Sequence, residues 1–255
     1  MHDKSCVFNT LFDSFLYSFV MGADNMKTIG ILGGMSASST QIYYRQLCNL
    51  TRERLGGLHS PELLIRSVDF ARIEDLQQKG QWDQAGAILN KEAKALERGG
   101  AHLLILATNT MHKLAEQMMA DVSIPMLHIA DATAASIRSR GLRSPGLMAT
   151  AFTMEQSFYV DRLTAAGLDA MVPVKEDRDE THRIIYEELC RDIVTKESEA
   201  AYVAIARRMV ERGADCLILG CTEVCMLLNG SNVSVPVFDT TTIHCEVALQ
   251  KALEG

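Results

Sequence analysis

No stretch of this sequence reaches the ~20 apolar residues that a membrane-spanning helix requires, so no membrane partner is expected. A basic excess is missing as well. The 25 Lys and Arg face 32 Asp and Glu, for a formal net charge of −7, and no long run of either sign occurs. Nucleic-acid binders ordinarily present a basic face, so that class of partner is excluded too. Neither Gly-x-Gly-x-x-Gly nor a P-loop is present, which removes the two common phosphate-cradling signatures. No pair among the seven cysteines has zinc-finger spacing, and Cys221-x-x-x-Cys225 has no matching second pair of ligands, so no metal is expected. Scattered and odd in number, they read as reduced thiols of a cytoplasmic protein, most of them small core residues. The single Trp82 reads as packing.

What is there is a chain of 255 residues, 47% hydrophobic, long enough for one large domain or two small ones. Residues 1–25 differ from the rest. Phe8 to Val20 is rich in Phe, Leu and Ser but is broken by Asp13, with no clean cleavage site after it. A regular pattern begins only at Met26, so residues 1–25 are set aside as an extension. From there, short apolar runs alternate with stretches of helical period. Strands are expected at 27–32, 62–67, 102–107, 124–129, 145–149, 169–173, 215–219 and 235–238. Helices are expected at 39–54, 82–98, 110–120, 131–140, 153–166, 178–191, 197–212 and 241–253. Such alternation means parallel sheet covered on both faces, in one eight-stranded barrel or in two open halves.

An internal repeat decides between them. Gly100-Ala101-His102-Leu103-Leu104-Ile105-Leu106-Ala107-Thr108 aligns with Gly213-Ala214-Asp215-Cys216-Leu217-Ile218-Leu219-Gly220-Cys221, with Gly, Ala, Leu, Ile and Leu identical at one offset. A Glu-Arg-Gly stands at the start of each copy, at 97–99 and at 211–213, and Val122-Ser123-Ile124-Pro125 is answered by Val233-Ser234-Val235-Pro236. Gly30-Ile31-Leu32 is answered by Gly146-Leu147-Met148. The expected fold is therefore α/β: two similar Rossmann-like domains with four-stranded parallel sheets and an active site in the cleft between them. Residues 26–131 plus 237–255 form the first domain, and 132–236 the second.

In open α/β sheets, ligands bind beyond the carboxyl ends of the strands. Thr108-Asn109-Thr110 and Cys221-Thr222-Glu223 both fall there, with Gly33-Gly34-Met35-Ser36 after the first strand. The glycines let backbone approach a ligand, and the amides of Met35 and Ser36 can bind a small carboxylate. Cys221 is the cysteine placed for reactivity, because a helix N-terminus lowers a thiol pKa from its usual ~8.5. Its equivalence with Thr108 puts the two side chains on opposite sides of whatever occupies the cleft.

From residue 26 to about 250 the chain resembles the cofactor-independent aspartate/glutamate racemases. The motifs are Gly30-Ile31-Leu32-Gly33-Gly34-Met35-Ser36 with Thr40, Thr108-Asn109-Thr110-Met111-His112 and Gly220-Cys221-Thr222-Glu223. Similarity is greatest to the enterobacterial-type amino-acid racemases, through Arg54 to Ser60, Ser67 to Phe70 and His128 to Thr133. The resemblance implies a homodimer and a two-base inversion of an amino acid without pyridoxal phosphate or any other cofactor. It makes Thr108 and Cys221 the catalytic pair. Asn109, Thr110, Thr222, Ser36 and the amides of Met35 and Ser36 become donors to the α-carboxylate.

Most of the family carries cysteine at both catalytic positions, and this chain has Thr108 at the first. A hydroxyl donates a proton far more easily than it abstracts one, so Cys221 is the better base, and the resemblance implies that it acts on the L-enantiomer of aspartate or glutamate. Arg72 is a candidate for the side-chain carboxylate, with Thr150, Lys113 and Arg191 as weaker ones. Glu223 either orients the thiol or binds the ammonium. His112, His128 and His244 lack metal-ligand spacing and read as core or rim residues. Three alternatives stay open: a hydantoin racemase, maleate isomerase or arylmalonate decarboxylase type of enzyme, a non-catalytic binder of small acids, and a nucleotide-dependent α/β enzyme.

Overall fold

The computed structural model describes residues 25–191 and 193–254, so the expected N-terminal extension lies outside the described residues except for Asn25. The first half runs β1 (Ile29–Gly33), α1 (Ala37–Leu55), β2 (Leu63–Ser67), α2 (Phe70–Gln78), α3 (Trp82–Arg98), β3 (Leu103–Leu106), α4 (Ala115–Met118) and β4 (Met126–Leu127). The second runs α5 (Ile129–Ser139), β5 (Pro145–Met148), α6 (Ala151–Glu155), α7 (Ser157–Ala165), α8 (Lys175–Glu187), α9 (Lys196–Glu211), β6 (Cys216–Leu219) and β7 (Val237–Asp239). α10 (Thr240–Leu253) closes the chain. Among the described residues no helix is long and apolar enough to cross a membrane.

Every residue of β1, β3, β5 and β6 is buried, because these uninterrupted apolar runs are covered on both faces by helices. All pairings are parallel, in the order β2-β1-β3-β4 in one sheet and β5-β6-β7 in the other. The expected strand at 169–173 shrinks to one bridge, Met171 to Gly146, on the free side of β5. Two hydrogen bonds hold it there, Leu147 N–H to Met171 O at 2.8 Å and Met171 N–H to Pro145 O at 2.9 Å. Pro173 then has no N–H with which to extend the ladder. With that bridge counted, the second sheet repeats the order of the first.

Other expected elements shift for local reasons. β4 stops at Leu127 because His128 already caps α5, its ring accepting the Ala130 N–H. The expected helix at 110–120 begins as a 3-10 turn over Thr110–Leu114 before α4. The one expected at 153–166 is split into α6 and α7 at Gln156. Helix α2 was not expected; Asp69 caps it by accepting the Ala71 N–H.

Buried clusters lie on both faces of each sheet. Leu32, Leu104 and Leu106 pack under α2 and α3, and Leu217 and Leu219 pack under α8 and α9. Each such side chain contributes about 1.5–3 kcal/mol by leaving water. α5 joins the second sheet, with Ile129, Ala134 and Ile137 against Leu147 and Ile218. α10 returns to the first, where Cys245, Ala248 and Leu249 pack on Ile29, Ile31 and Tyr43. The chain therefore passes between the halves twice, at His128 and at Asp239, and two connections fix the lobes' relative position better than one hinge would.

The loop after β1 requires glycine. Gly34 has φ +93°, and a Cβ there would lie 2.2 Å from the Val68 carbonyl oxygen. Its N–H donates to Thr40 Oγ1 at 2.8 Å. Gly34→Ala is expected to lower unfolding free energy by about 3 kcal/mol or more, since both strain and a backbone clash oppose it. Urea denaturation reads the change, and an unshifted midpoint would contradict this account of the loop.

Candidate active site

Thr108 and Cys221 emerge one residue beyond equivalent ladder bonds. Ala107 N–H donates to Leu32 O at 2.9 Å, and Gly220 N–H donates to Met148 O at 2.8 Å. Gly220 allows the close approach: a Cβ on it would lie 2.8 Å from Ala149 Cβ. Both strand ends open into one cavity of about 570 Å³ between the lobes, part of it open to solvent. Thr108 and Cys221 line it together with Met35, Ser36, Asn109, Thr110, Thr150, Thr222 and Glu223.

On the second lobe the chemistry centres on Glu223, which is buried. The Cys221 thiol donates to its Oε2 at 3.0 Å, and Thr222 Oγ1 donates to the same oxygen at 2.5 Å. Ser36, from the other lobe, donates to Oε1 at 2.9 Å. Ser39 and Thr222 share a further hydroxyl contact of 2.5 Å. In this geometry the Ser36 proton goes to Glu223 and the Thr222 hydroxyl faces it, so neither stands free as a donor for a substrate carboxylate. The carboxylate instead ties the N-terminus of α1 to the turn after β6.

That arrangement corrects the expected acidity of Cys221. The turn that follows, Thr222–Met226, is a short 3-10 segment rather than a full α-helix, so little dipole is available. Burial, and after it the charge and hydrogen bond of Glu223, push the thiol well above its ordinary range. The thiol is therefore held protonated.

On the first lobe, Thr110 Oγ1 lies 3.1 Å from Thr150 Oγ1 and 3.0 Å from Thr153 Oγ1, a hydroxyl triangle across the cleft. Thr150 also caps α6, so its structural and site roles coexist. The Asn109 amide nitrogen donates to Thr240 Oγ1 at 3.1 Å. Behind Thr108, His112 donates from Nδ1 to the Thr108 carbonyl at 2.7 Å and accepts the Ile129 N–H at Nε2, at 3.2 Å. These two partners set its tautomer, and burial depresses its pKa well below the imidazole norm, so it is a neutral buttress. No group of three or more candidate metal ligands occurs among the described residues.

Arg72 is not brought into the cavity. It is exposed in the first turn of α2 and lines a separate surface hollow with Asp75 and Lys91. Lys113 also turns elsewhere, with its ammonium 4.0 Å from the Trp82 ring centroid and donating to Gln156. Arg191 is exposed. Conversely, the cavity gains walls that sequence reading missed. Gln77 of α2 donates to the Tyr186 hydroxyl of α8 at 3.2 Å, and Tyr43, Phe70, Ile185 and Cys190 also line the cavity. Helix-interior residues of this kind carry no local signal; only the packing of α2 and α8 against the sheets aims them inward.

Two α/β lobes of like topology thus place a hydroxyl and a thiol at matched strand ends on one cavity. A sequence profile of the Asp/Glu/hydantoin racemase family matches residues 32–248, and the chain belongs to that family. Its enzyme class is that of the amino-acid racemases. A Yersinia pestis protein of the Asp/Glu racemase kind is 45% identical, superposes with a TM-score of 0.85, and is covered over 100% of its chain by 89% of this one. An aspartate racemase homologue from Pyrococcus horikoshii is 37% identical, with a TM-score of 0.79, over 89% of this chain and 99% of its own. The broad specificity amino-acid racemase RacX of Bacillus subtilis is 20% identical over 223 residues, 84% of this chain and 92% of its own.

Proposed function

We propose that the protein inverts the α-carbon of aspartate or glutamate by a two-base mechanism that needs no cofactor and runs better from the L-enantiomer. The observation that carries this reading is the placement of Thr108 and Cys221 at equivalent strand ends of facing lobes. The Cys221 thiol passes its proton to Glu223, and the resulting thiolate removes the substrate's α-hydrogen. Thr108, directly or through a water it holds, returns a proton to the opposite face. The carbanion's charge is spread over the α-carboxylate, which meets the amides after β1 and the Thr110–Thr150 hydroxyls. Enclosure between the lobes keeps that charge away from bulk water.

In this reading Glu223 is the acceptor of the thiol proton. Glu223→Gln removes the charge that holds Cys221 protonated, so alkylation of Cys221 by iodoacetamide at pH 7 is expected to rise about tenfold, one pKa unit's worth. Exchange of the substrate's α-hydrogen is expected to fall about 100-fold, the usual scale for losing a proton acceptor. If both rates rise together, Glu223 merely restrains the thiol.

The cavity lining contains no Lys, Arg or His. For an acidic side chain the lining therefore offers no cation, since Arg72 and Arg191 are exposed outside it. Neither forms an ion pair among the described residues. The same cation-free lining favours a second reading, broad specificity that includes neutral amino acids. Solvent deuterium incorporation at Cα across a panel of L- and D-amino acids separates the two, and its absence from all of them would leave a binding protein. Homodimeric assembly in the cytoplasm completes the proposal, with sedimentation analysis as the test of the dimer.

A further inference from the structure

Thr240 is fully buried at the start of α10, where the chain returns from the second lobe to the first, and it lies outside the cavity lining. Its hydroxyl donates to the carbonyl of Leu219, the last residue of β6, at 2.9 Å. A carbonyl can only accept, so the hydroxyl's single proton is spent on that bond. The Asn109 atom 3.1 Å from Thr240 Oγ1 must therefore be a donor, which makes it the amide nitrogen. An amide's orientation is decided by such a network rather than by its shape, and here the network leaves no choice. The other branch, Asn109 Oδ1, is buried with no hydrogen-bond partner among the described residues, on a residue that lines the cavity and is 5% exposed.

A buried acceptor without a donor calls for one from the ligand. At neutral pH an acidic amino acid carries carboxylate groups, which only accept, and one ammonium, which donates. The competing acceptor, Glu223, is already engaged by Cys221, Thr222 and Ser36. We infer that Thr240 is a positioning residue that holds Asn109 with its carbonyl oxygen toward the cavity, so that Asn109 receives the substrate's ammonium instead of donating to its α-carboxylate. The chain Asn109 to Thr240 to Leu219 also ties the residue after Thr108 to the end of β6, two residues before Cys221. The two faces of the site are thus set relative to the group that fixes the α-carbon.

The inference rests on the amino-acid racemase reading, and its test is a binding equilibrium that needs no turnover. L-aspartate and succinate share a skeleton and differ in the ammonium. Calorimetric titration is expected to show wild type preferring L-aspartate. Thr240→Val should cut that preference by about tenfold while changing succinate affinity by no more than about threefold, since only the ammonium contact is lost. Thr240→Ser should retain it. Equal weakening of both ligands by Thr240→Val, or a wild type that binds the two alike or not at all, overturns the inference. Should the valine variant fail to fold, Asn109→Asp decides. It keeps an acceptor and loses the donor, so L-aspartate affinity should stay within about threefold, and a loss above about 30-fold means the amide serves the carboxylate. A protein that shows the Thr240 effect yet never exchanges the α-hydrogen sinks the racemase reading and leaves this one standing.

Discussion

Cys221→Ser is expected to slow α-hydrogen exchange from L-aspartate and L-glutamate by about 10³-fold or more, near the upper range for removing a general base. A serine hydroxyl is far less acidic than a thiol, so transfer of its proton to Glu223 leaves almost no alkoxide to act on Cα. The fold should tolerate the change, because Cys221 is open to the cavity and its hydrogen bond to Glu223 at 3.0 Å suits a hydroxyl. In the proposed mechanism Thr108 serves the other face, where it supplies no acidic group. In the wild type, initial exchange from the D-enantiomers should lag behind that from L, and Thr108→Cys should raise the D-side rate by about tenfold or more as a second acidic group enters. Comparable initial rates from both enantiomers of the wild type would sink the asymmetry. Activity surviving Cys221→Ser would sink the mechanism.

Acidification is expected to unfold the protein well before its carboxylates titrate. His112, His128 and His244 pack ring against ring where the lobes join, with centroids 4.5 Å apart for the first two and 5.8 Å for His112 and His244. His244 accepts from the Tyr43 hydroxyl at 2.9 Å and donates to the Leu127 carbonyl at 2.9 Å. His128 has its pKa lowered to about 4 by burial and then by the charge of Arg162. Burial takes His244 to about 4 as well. In an unfolded chain each would titrate near 6.5.

Between those values the unfolded state binds protons that the native state refuses, so stability is full above pH 6.5 and falls as pH drops toward 4. Each of the two accounts for up to about 3 kcal/mol, and His112 adds in the same direction. Thermal melts from pH 7 to 4.5 should show a steep decline, shallower in His244→Gln. A flat melting temperature across that range would mean the imidazoles are protonated in the native state. The carboxylates whose pKa is lowered, such as Glu180 and Asp215, keep their contribution across this window and lose it only at still lower pH.

Much of the plan around this site is legible in the sequence. The apolar runs that became β1, β3, β5 and β6 are read from neighbours a few residues away, and the repeat relating β3 to β6 needs no knowledge of packing. Strand order was harder. Met171 pairs for one residue instead of five because Pro173 follows, while Phe70–Gln78 escaped notice although Asp69 marks its start. The expectation that Cys221 would be acidic failed for a clearer reason. It rested on a helix that the chain does not form there and gave no weight to the charge of Glu223, whose effect on the thiol depends on how deeply both are enclosed.

The sequence alone thus determined the two-lobed α/β plan and the strand-end placing of Thr108 and Cys221, because short-range periodicity and internal repetition are properties of the chain itself. Tertiary structure alone decided the acidity of the thiol, the way Asn109 faces, the exclusion of Arg72, and the entry of Gln77, Tyr186 and Thr240 around the cavity. Each of these depends on burial or on hydrogen bonds between segments far apart in sequence, such as Asn109 with Thr240 or Ser36 with Glu223. Those contacts exist only once both lobes have closed on their shared helices.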